Sequence, residues 1–429
     1  MGSLLLGCIA DDFTGATDLA NNLVRAGMRV VQTIGVPGAA LDTADAVDAV
    51  VIALKSRTIA PGDAVAQSLA ALRWLRAQGA QQFYFKVCST FDSTPQGNIG
   101  PVTDALMSAL GCKFVAVTPA FPDNQRAVFK GHLFVGDVLL SDSGMRHHPL
   151  TPMTDANLVR VLQAQTRKQV GLIEHGVVLR GAAAIAQRMA QLERDGIGMA
   201  IVDAIHNDDL MQLGQALKGQ ALVTAGSGVA IGLPANWGLA PSPSAALLPP
   251  AGGLKAVVSG SCSVATNGQV AHARAAGMPV FAVDPLQVAA GVDMVTQALA
   301  WASDRLAEGG GNGPVLIAAT ADATQLQAVQ SQLGAAQAGE LVEQALAAIG
   351  RGLVQAGVRR LVVAGGETSG AVVQALGITQ LQIGAQIDPG VPWCAARSPA
   401  ARGEVLHIAL KSGNFGTADF FSKAFVALE

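Results

Sequence analysis

The sequence predicts an α/β protein of two domains, each a mostly parallel sheet flanked by helices. Three observations predict this fold. Apolar, β-branched runs alternate with helical patterns along the whole chain, as they do in βαβ units. The chain has 429 residues, which is more than one ordinary domain holds. The Pro/Gly/Ser-rich stretch 239–253, LAPSPSAALLPPAGG, is a linker that divides the chain into domains of residues 1–240 and 254–429.

The apolar runs that alternate with helical patterns predict the strands. Each is short, rich in Val, Ile, Leu and Ala, and bounded by turn residues. We expect strands near residues 4–10, 29–35, 49–54, 82–87, 114–118, 199–203, 220–225, 255–259, 278–283, 314–319, 360–364 and 405–410.

Composition favours an enzyme that acts on small molecules. Half of the residues are hydrophobic and only 14% are charged, so the chain can form large buried cores. The net charge of −3 and the absence of basic runs argue against a nucleic-acid surface. No apolar run is long enough to span a membrane. The five cysteines are scattered and form no CxxC pair, which predicts reduced thiols in a cytoplasmic protein.

Three similar turns in the second half predict a nucleotide site. In Leu361–Gly370, LVVAGGETSG, a β-branched run stops at Gly365 and Gly366 before a helical pattern. Glycines let the backbone approach a ligand, and N–H groups at a helix start attract an anion. Ala256–Cys262 and Leu406–Gly416 end in the same way. Any one of these could be an ordinary βα turn, but three at the ligand-binding edge of one sheet favour a phosphate-bearing nucleotide.

In the first half, an apolar strand ends in two adjacent acids, Asp11 and Asp12, before a helical pattern. A carboxylate at this position can accept a proton from a substrate hydroxyl or hold a magnesium ion. The alternative is that it caps the helix. We expect one aspartate to cap and the other to act on substrate, with the two side chains pointing apart because side chains alternate along a strand.

Further polar groups follow two other strands of the first half. Arg57, near the end of Val51–Thr58, VIALKSRT, suits a carboxylate substrate, although a lone loop arginine is more often a solvated surface charge. The segment Phe83–Thr94, FYFKVCSTFDST, ends its strand in a polar cluster that a sugar-like molecule could occupy. The alternative is a structural ion pair with hydroxyl caps. The cluster consists of Lys86, Cys88, Ser89, Thr90, Asp92, Ser93 and Thr94.

Three loops carry weaker signals. Arg126, in a proline-containing loop, supplies a second cation for an acidic substrate. His147 and His148 are adjacent, which is not the spacing of a zinc protease site, and their long loop is typical of a lid or an oligomer contact. Thr224–Gly232 has the spacing GxGxxxG of a dinucleotide fingerprint but lacks the expected acid about 20 residues later. The sequence has no P-loop, protein-kinase catalytic loop, GxSxG elbow or HExxH motif.

Together these motifs resemble the four-carbon acid sugar kinases over nearly the whole chain. The form CSTFDST favours the oxo-tetronate branch over the threonate and erythronate branch. The motifs that carry the resemblance are IADDFTGA at Ile9–Ala16, Ser56–Arg57, KVCSTFDST at Lys86–Thr94, QGNIGPVTDA at Gln96–Ala105, TPAFP at Thr118–Pro122, VSGS at Val258–Ser261, AGGETSG at Ala364–Gly370 and KSGNFG at Lys411–Gly416.

The resemblance implies that the N-terminal domain binds a sugar acid and the C-terminal domain binds ATP. The reaction would be phosphorylation of the 4-hydroxyl of a 3-oxo-tetronate, in a catabolic route. No nucleic acid or membrane is expected as a partner, and a homodimer is left open. The family's nucleotide positions fall on Ser259, Gly365, Gly366, Glu367, Thr368 and Gly413.

Our mechanistic hypothesis follows from that reaction. Asp12 accepts the proton of the attacking hydroxyl, and Asp92 is the reserve base. The turns of the second half hold the β- and γ-phosphates, which Mg²⁺ bridges. The expected substrate-binding residues are Asp11, Arg57, Lys86, Ser89, Thr90 and Arg126, of which Arg57, Lys86 and Arg126 hold the carboxylate.

Three alternatives remain. The substrate could be D-threonate or D-erythronate. Thr224–Gly232 and the βα pattern would also suit an NAD(P)-dependent oxidoreductase. A non-catalytic sugar-acid sensor is the third, although no DNA-binding helix pair or basic face supports it.

Overall fold

The structure is a computed structural model that describes residues 4–38, 41, 46–92, 94–148, 151–308, 313–319 and 335–428, with side chains from residue 339 in the last range. Ser93 of the polar cluster lies outside the described residues. The chain divides into two compact units, Met1–Ala246 and Leu247–Glu429. In the ranges given, no helix has the length and apolar character needed to cross a bilayer.

The first unit is built on a parallel sheet with strand order β2-β3-β1-β4-β11-β5-β10-β9. A small antiparallel sheet, β6-β7-β8, accompanies it. The strands are β1 (Leu6–Ala10), β2 (Val30–Ile34), β3 (Ala49–Ala53), β4 (Gln82–Lys86), β5 (Val115–Thr118), β6 (Arg126–Phe129), β7 (His132–Val135), β8 (Val138–Leu139), β9 (Gln169–Ile173), β10 (Ile197–Val202) and β11 (Leu222–Ala225).

Helices follow most strands of this unit and bury one apolar face each. Leu19 and Leu23 of the first helix, for example, are fully buried one turn apart. The helices are α1 (Phe13–Arg25), α2 (Pro61–Ala77), α3 (Ile99–Leu110), α4 (Leu158–Gln163), α5 (His175–Val178), α6 (Ala182–Arg194) and α7 (Asn207–Ala216).

The second unit has a mixed sheet with strand order β13-β14-β12-β15-β18-β17-β16. The first five strands of that order are parallel, while β17 runs antiparallel to both β18 and β16. The strands are β12 (Leu254–Ser259), β13 (Val280–Ala282), β14 (Val315–Ala318), β15 (Val358–Ala364), β16 (Gln380–Asp388), β17 (Val391–Arg397) and β18 (Val405–Lys411).

Aromatic side chains are concentrated on one face of this second sheet. Trp393 of β17 packs with Phe420, Phe421 and Phe425 of the C-terminal helix, and its indole N–H donates to the carbonyl of Ala424 at 2.7 Å. The helices of the unit are α8 (Val264–Ala275), α9 (Pro285–Ala289), α10 (Met294–Glu308), α11 (Ala335–Gln355), α12 (Gly366–Ala375) and α13 (Phe420–Val426).

The predicted α/β class is confirmed, and each expected strand is present. The sequence analysis missed β6 to β9 and the pair β16 and β17. The small antiparallel strands lie in a stretch where polar and glycine residues interrupt the apolar pattern. Six consecutive residues of β17 are buried, so this strand lacks the alternation by which strands are recognised. β16, QLQIGAQID, does alternate polar and apolar residues, and the sequence analysis missed that signal.

Candidate functional site

Polar side chains of the first unit collect where β1, β3 and β4 end. Ala10 of β1 lies level with Ala53 of β3 and with Lys86 of β4, so the residues that follow these strands meet at one edge. The backbone ties them together, because the N–H of Asp11 donates to the carbonyl of Lys86 at 3.1 Å. The N–H of Arg57 donates in turn to the carbonyl of Asp11 at 3.1 Å.

Arg57 binds both aspartates of the predicted pair. Its Nε and Nη2 hold the two oxygens of Asp11 at 3.0 and 2.8 Å, and Nη2 also lies 2.6 Å from Oδ1 of Asp12. The expectation that the two carboxylates point apart is therefore wrong. Asp12 stands beyond the strand, at the N-cap of α1, where the alternation of side chains along a strand no longer applies.

Asp12 is the aspartate that caps the helix. Its Oδ1 accepts the N–H of Gly15 at 3.1 Å, and its Oδ2 accepts the hydroxyl of Thr14 at 3.0 Å. An N-cap aspartate satisfies N–H groups that the first helical turn leaves without partners. One aspartate of the pair was expected to cap the helix and the other to act on substrate. The structure shows that Asp12 is the cap, although we also predicted Asp12 to act as the base.

The two carboxyl groups have opposite pKa shifts. Burial raises the pKa of Asp11 above its usual value, despite the opposing charge of Arg57. Burial also acts to raise the pKa of Asp12, but the charges of Arg57 and Lys86 and two hydrogen bonds bring it below its usual value. Opposite charges and hydrogen bonds to the ionised form favour that form. Asp12 is therefore the more firmly ionised carboxylate.

Lys86 is a buried cation beside this pair. Its side chain is 3% exposed, and Nζ donates to the carbonyl of Val87 at 2.8 Å. Gly15 is required here, since a Cβ on it would stand 2.6 Å from Nζ of Lys86 and 2.1 Å from Oδ1 of Asp12. The start of α1 thus packs directly on the ammonium group.

The segment after β4 has an unusual backbone. Phe91 is fully buried and has a φ of 54°, in the left-handed region that bulky residues rarely adopt. Thr90 donates its hydroxyl to Asp92, and its Oγ1 lies 3.0 Å from Sγ of Cys88. Burial raises the pKa of the Cys88 thiol to about 11, so the thiol stays protonated near neutral pH. Such backbone strain is concentrated at functional sites.

Arg126 stands at the start of β6 with part of its guanidinium unused. Nη1 donates to the carbonyl of Asn124, while the buried Nε meets no acceptor within the residues that the structure describes. Burial lowers the pKa of Arg126, against the opposing charge of Asp92. Arg126 therefore lies within electrostatic range of the polar cluster. Its role as a second cation for the substrate stays a prediction.

The sequence analysis missed residues that hold the backbone around this cluster in place. Asn98 donates Nδ2 to three carbonyls of the loop after β3, those of Ser56, Arg57 and Ile59, at 2.7, 3.1 and 3.0 Å. Asn98 lies within the QGNIG motif, which is the signal that could have identified it. Asp18 of α1, also buried, accepts the hydroxyl of Ser227, and burial raises its pKa.

Thr224–Gly232 is not a dinucleotide site. It continues β11 into a buried 3-10 helix, Ser227–Gly232, and no α-helix begins there. Its glycines permit close packing, because a Cβ on Gly226 would stand 2.8 Å from the carbonyl oxygen of Pro119 and one on Gly228 2.5 Å from that of Ala120. The glycine spacing reflects contact with the protein's own backbone.

In the second unit, the three glycine turns converge. Ser259 at the end of β12 pairs with Ala364 of β15, and Ala364 pairs with Lys411 of β18. The turns after these strands therefore lie side by side at the carboxyl edge of the sheet. A Cβ on Gly413 would stand 2.6 Å from Oγ of Ser261, so the first and third turns are in contact.

Gly365 joins the second turn to the other two. It has a φ of 124°, its N–H donates to the carbonyl of Lys411 at 2.8 Å, and a Cβ on it would stand 2.9 Å from Oγ1 of Thr368. As N-cap of α12 it offers no side-chain acceptor to the first helical turn, which begins at Gly366. The predicted nucleotide residues 365–368 thus form an uncapped helix start, which is suited to an anion.

Hydroxyl groups line the first turn and were not in the predicted set. Ser263 caps α8 and donates its hydroxyl to the carbonyl of Gly413 at 2.6 Å, and Thr266 donates to the same oxygen at 2.8 Å. Over the described ranges, the structure has no group of three or more His, Cys, Asp or Glu side chains that could hold a metal ion. Glu367, at the start of α12, supplies a carboxylate to this set of turns.

The first unit thus holds a cluster of acidic and basic side chains, and the second holds three adjacent glycine turns with an uncapped helix start. Comparison with known families decides what this combination means. Residues 6–233 match the model of a sugar-binding N-terminal domain, and residues 256–421 match that of a nucleotide-binding C-terminal domain. The chain belongs to the four-carbon acid sugar kinase family. The family recognised from the sequence motifs is therefore confirmed.

Relatives in this kinase family match the chain over its whole length. It is 59% identical to a 3-oxo-tetronate kinase of Burkholderia multivorans, over 99% of this chain and 97% of that protein. It is 57% identical to a 3-oxo-tetronate kinase of Pseudomonas fluorescens, over 98% and 96%. A solved structure from Haemophilus influenzae is 44% identical with a TM-score of 0.82, covering 99% of this chain and all of that one. Kinase relatives imply that the chain uses ATP.

Proposed function

We propose that the protein is an ATP-dependent kinase that phosphorylates the 4-hydroxyl of a 3-oxo-tetronate. The observation that carries the proposal is that relatives 45% to 59% identical over nearly the full chain are named 3-oxo-tetronate kinase. D-Threonate and D-erythronate are the competing substrates. Residues 1–240 would bind the sugar acid and residues 254–429 the nucleotide.

The charges of the first unit suit a small acid that carries hydroxyl groups. We assign the substrate carboxylate to Arg126, whose Nε is without a partner in the described part of the chain, and to Lys86. Arg57 contributes less directly, because its Nε and Nη2 are engaged by the two aspartates. Ser89 and Thr90 would bind substrate hydroxyls, with Asp11 holding Arg57 in place.

Asp12 has one position left at which it can accept the substrate proton. A carboxylate offers about four lone-pair sites. Oδ1 of Asp12 uses its two on Arg57 and Gly15, and Oδ2 uses one on Thr14. The remaining site on Oδ2 would receive the 4-hydroxyl and take its proton as the oxygen attacks the γ-phosphate. Asp92 is the reserve base.

The turns of the second unit would hold the β- and γ-phosphates through backbone N–H groups. Phosphoryl transfer depends mainly on positioning and on neutralising the charge of the phosphates. Mg²⁺ is normally bound by phosphates together with one or two carboxylates, and Glu367 is the carboxylate at these turns. Bound there, Mg²⁺ would neutralise charge on the transferred group.

An ADP-release assay tests this proposal. The protein is given ATP and magnesium with 3-oxo-tetronates, D-threonate or D-erythronate, or with no acceptor. We expect turnover with a 3-oxo-tetronate and little ADP without acceptor, because a kinase must exclude water from the transferred phosphate. Preference for threonate or erythronate would move the protein to the other branch. Stabilisation by NAD or NADP but not by ATP, measured as a thermal shift, would reject the kinase assignment.

We also propose a cytoplasmic location, supported by five cysteines that are all free thiols. A homodimer stays a prediction, which gel filtration with light scattering tests by measuring the molar mass in solution.

A further inference from the structure

In the third turn of the second unit, residues 412–417, most backbone carbonyl groups have hydrogen-bond partners and most N–H groups do not. Five of its six carbonyl oxygens are bound by two buried side chains that reach the loop from the protein interior, Lys411 and Gln269. The carbonyl of Gly413 also accepts the hydroxyls of Ser263 and Thr266. Four of its six N–H groups, by contrast, have no acceptor among the residues that the structure describes. This asymmetry lies in a loop that the proposed function assigns to phosphate binding.

Lys411 is fully buried at the end of β18 and surrounded by oxygen atoms. Nζ lies 3.0 Å from the carbonyl oxygen of Ser412 and 3.1 Å from those of Gly413 and Phe415. It also lies 3.0 Å from Oγ1 of Thr266 in α8. An ammonium group has three N–H donors, so four acceptors satisfy it completely. The ammonium group of Lys411 therefore holds the loop in place and has no donor left for a ligand.

Gln269, also fully buried, continues this arrangement along the loop. From the second turn of α8, its Nε2 lies 3.0, 2.9 and 3.1 Å from the carbonyl oxygens of Phe415, Gly416 and Thr417. Its Oε1 is buried and meets no donor in the described part of the chain, so the amide serves the loop alone. The two side chains together collect the carbonyls of residues 412, 413, 415, 416 and 417.

The N–H groups of the same loop are used differently. Phe415 donates to the carbonyl of Ser412 at 3.1 Å, and Thr417 donates to Asp388 at 2.8 Å. The N–H groups of Ser412, Gly413, Asn414 and Gly416 have no acceptor among the described residues. Successive free N–H groups in a turn form an anion-binding concavity. Because the carbonyl oxygens point toward the buried side chains, the negative ends of the peptide dipoles point away from an anion that binds to the N–H groups.

We propose that Lys411 and Gln269 form a carbonyl clamp, a pair of positioning residues that holds loop 412–417 with its carbonyls inward and its N–H groups available to the β- and γ-phosphates of the nucleotide. The inference rests on the proposed function, since it presumes that this unit binds ATP. The clamp also links the three turns: Thr266 follows the first, and the carbonyl of Lys411 accepts the N–H of Gly365 in the second at 2.8 Å.

Direct nucleotide binding without sugar acid tests the clamp. Gln269→Met keeps the side-chain length but removes the donors, and Lys411→Met removes the ammonium. We expect both variants to bind a non-hydrolysable ATP analogue at least tenfold more weakly than wild type, by calorimetry. AMP, which lacks the β- and γ-phosphates, should bind within twofold of wild type. In turnover, KM for ATP should rise while KM for the sugar acid stays unchanged.

Two controls separate the clamp from general damage. Gln382→Met removes the amide of a glutamine in β16, whose Nε2 donates to the carbonyl of Leu247 at 3.1 Å. This variant should leave the affinities for the ATP analogue and for AMP unchanged. Lys411→Arg keeps a charged donor and should restore most of the affinity lost in Lys411→Met. If Lys411→Met does not fold, Gln269→Met alone decides the matter.

The outcomes distinguish the clamp from the proposed function. Wild-type affinity for the ATP analogue in Gln269→Met would overturn the clamp while leaving the kinase intact. Equal weakening of ATP analogue and AMP would also overturn it, because the loss would not depend on the β- and γ-phosphates. A wild-type protein that binds no adenine nucleotide would overturn the proposed function and the clamp together.

Discussion

The two units use the same position in their sheets, the carboxyl ends of parallel strands, to build sites of opposite kind. In the first unit the groups are ionised side chains, with Arg57 binding Asp11 and Asp12 beside Lys86. In the second they are backbone N–H groups and hydroxyls, with the buried cation Lys411 beneath the third turn.

The difference follows from what each site must do. Buried charges are costly unless paired, so the charged cluster maintains its geometry through its own ion pairs and hydrogen bonds. Changing one member leaves its partner uncompensated. The geometry of the backbone site depends less on paired charges and more on glycine conformations and on carbonyls bound from the protein interior. We therefore expect side-chain chemistry to dominate the first site and backbone shape the second.

The largest expected effect is that of Asp12→Asn in the charged cluster. An amide cannot take the proton of the 4-hydroxyl, so kcat should fall about 10²- to 10⁴-fold, the usual contribution of a general base. Affinity for the ATP analogue should not change. Steady-state kinetics and calorimetry measure the two quantities.

A matched control exists in the same unit. Asp48 also binds an arginine with both oxygens, at 2.9 and 2.8 Å from Nε and Nη2 of Arg29, but it stands before β3 at the other end of the strands. Asp48→Asn should keep wild-type kcat. If Asp12→Asn retains turnover near wild type, Asp12 is not the base and Asp92 becomes the candidate.

An intermediate effect is expected from a backbone change, Gly365→Ala. The φ of 124° disfavours any side chain, and the new Cβ would stand 2.9 Å from Oγ1 of Thr368. The turn must shift, so we expect affinity for the ATP analogue to fall about 10- to 100-fold, which is roughly 1.4 to 2.8 kcal/mol. KM for the sugar acid should not change. Calorimetry measures the affinity for the ATP analogue, and steady-state kinetics measures KM.

Gly268 of α8 provides the comparison for that variant. A Cβ there meets no atom within 4 Å. Gly268→Ala in a helix interior should raise stability by roughly 0.5 to 1 kcal/mol and leave nucleotide binding unchanged, as read from a denaturant titration. Equal nucleotide affinity in the two alanine variants would show that the conformation of Gly365 does not matter for binding.

The smallest expected effect is one of pH. Burial lowers the pKa of Lys411 to about 8, so its ammonium is charged below that pH and loses its proton above it. KM for ATP should be constant from about pH 6 to 7.5 and rise severalfold by about pH 9 as the clamp loses a donor and its charge. Asp12, whose pKa is lowered from 3.8, remains ionised throughout this range.

Lys411→Arg tests the origin of that rise, because a guanidinium keeps its proton at all of these values. The rise in KM should be absent from this variant. If wild-type KM for ATP is flat to pH 9, titration of Lys411 has no influence on the nucleotide.

Much of the fold could be predicted because parallel βα units have a local signature. The run Leu361–Ala364 before paired glycines indicates a buried strand and a turn without reference to other residues. The strand β17 could not be predicted in this way, since its first six residues are all buried and do not alternate, whereas β16, QLQIGAQID, carries an alternation that the sequence analysis missed. The place of β17 beside β18 depends on packing of Trp393 against the C-terminal helix.

For the sites, the sequence by itself determined which residues follow which strands, because strand ends and glycine turns are encoded within a few neighbouring positions. It thereby placed Asp11, Asp12 and Lys86 at one edge and the three glycine turns at another. Only the tertiary structure decided how these groups are paired. That Arg57 binds both aspartates, and that Gln269 reaches a loop that begins at residue 412, depends on strand order, which brings together residues far apart in the chain.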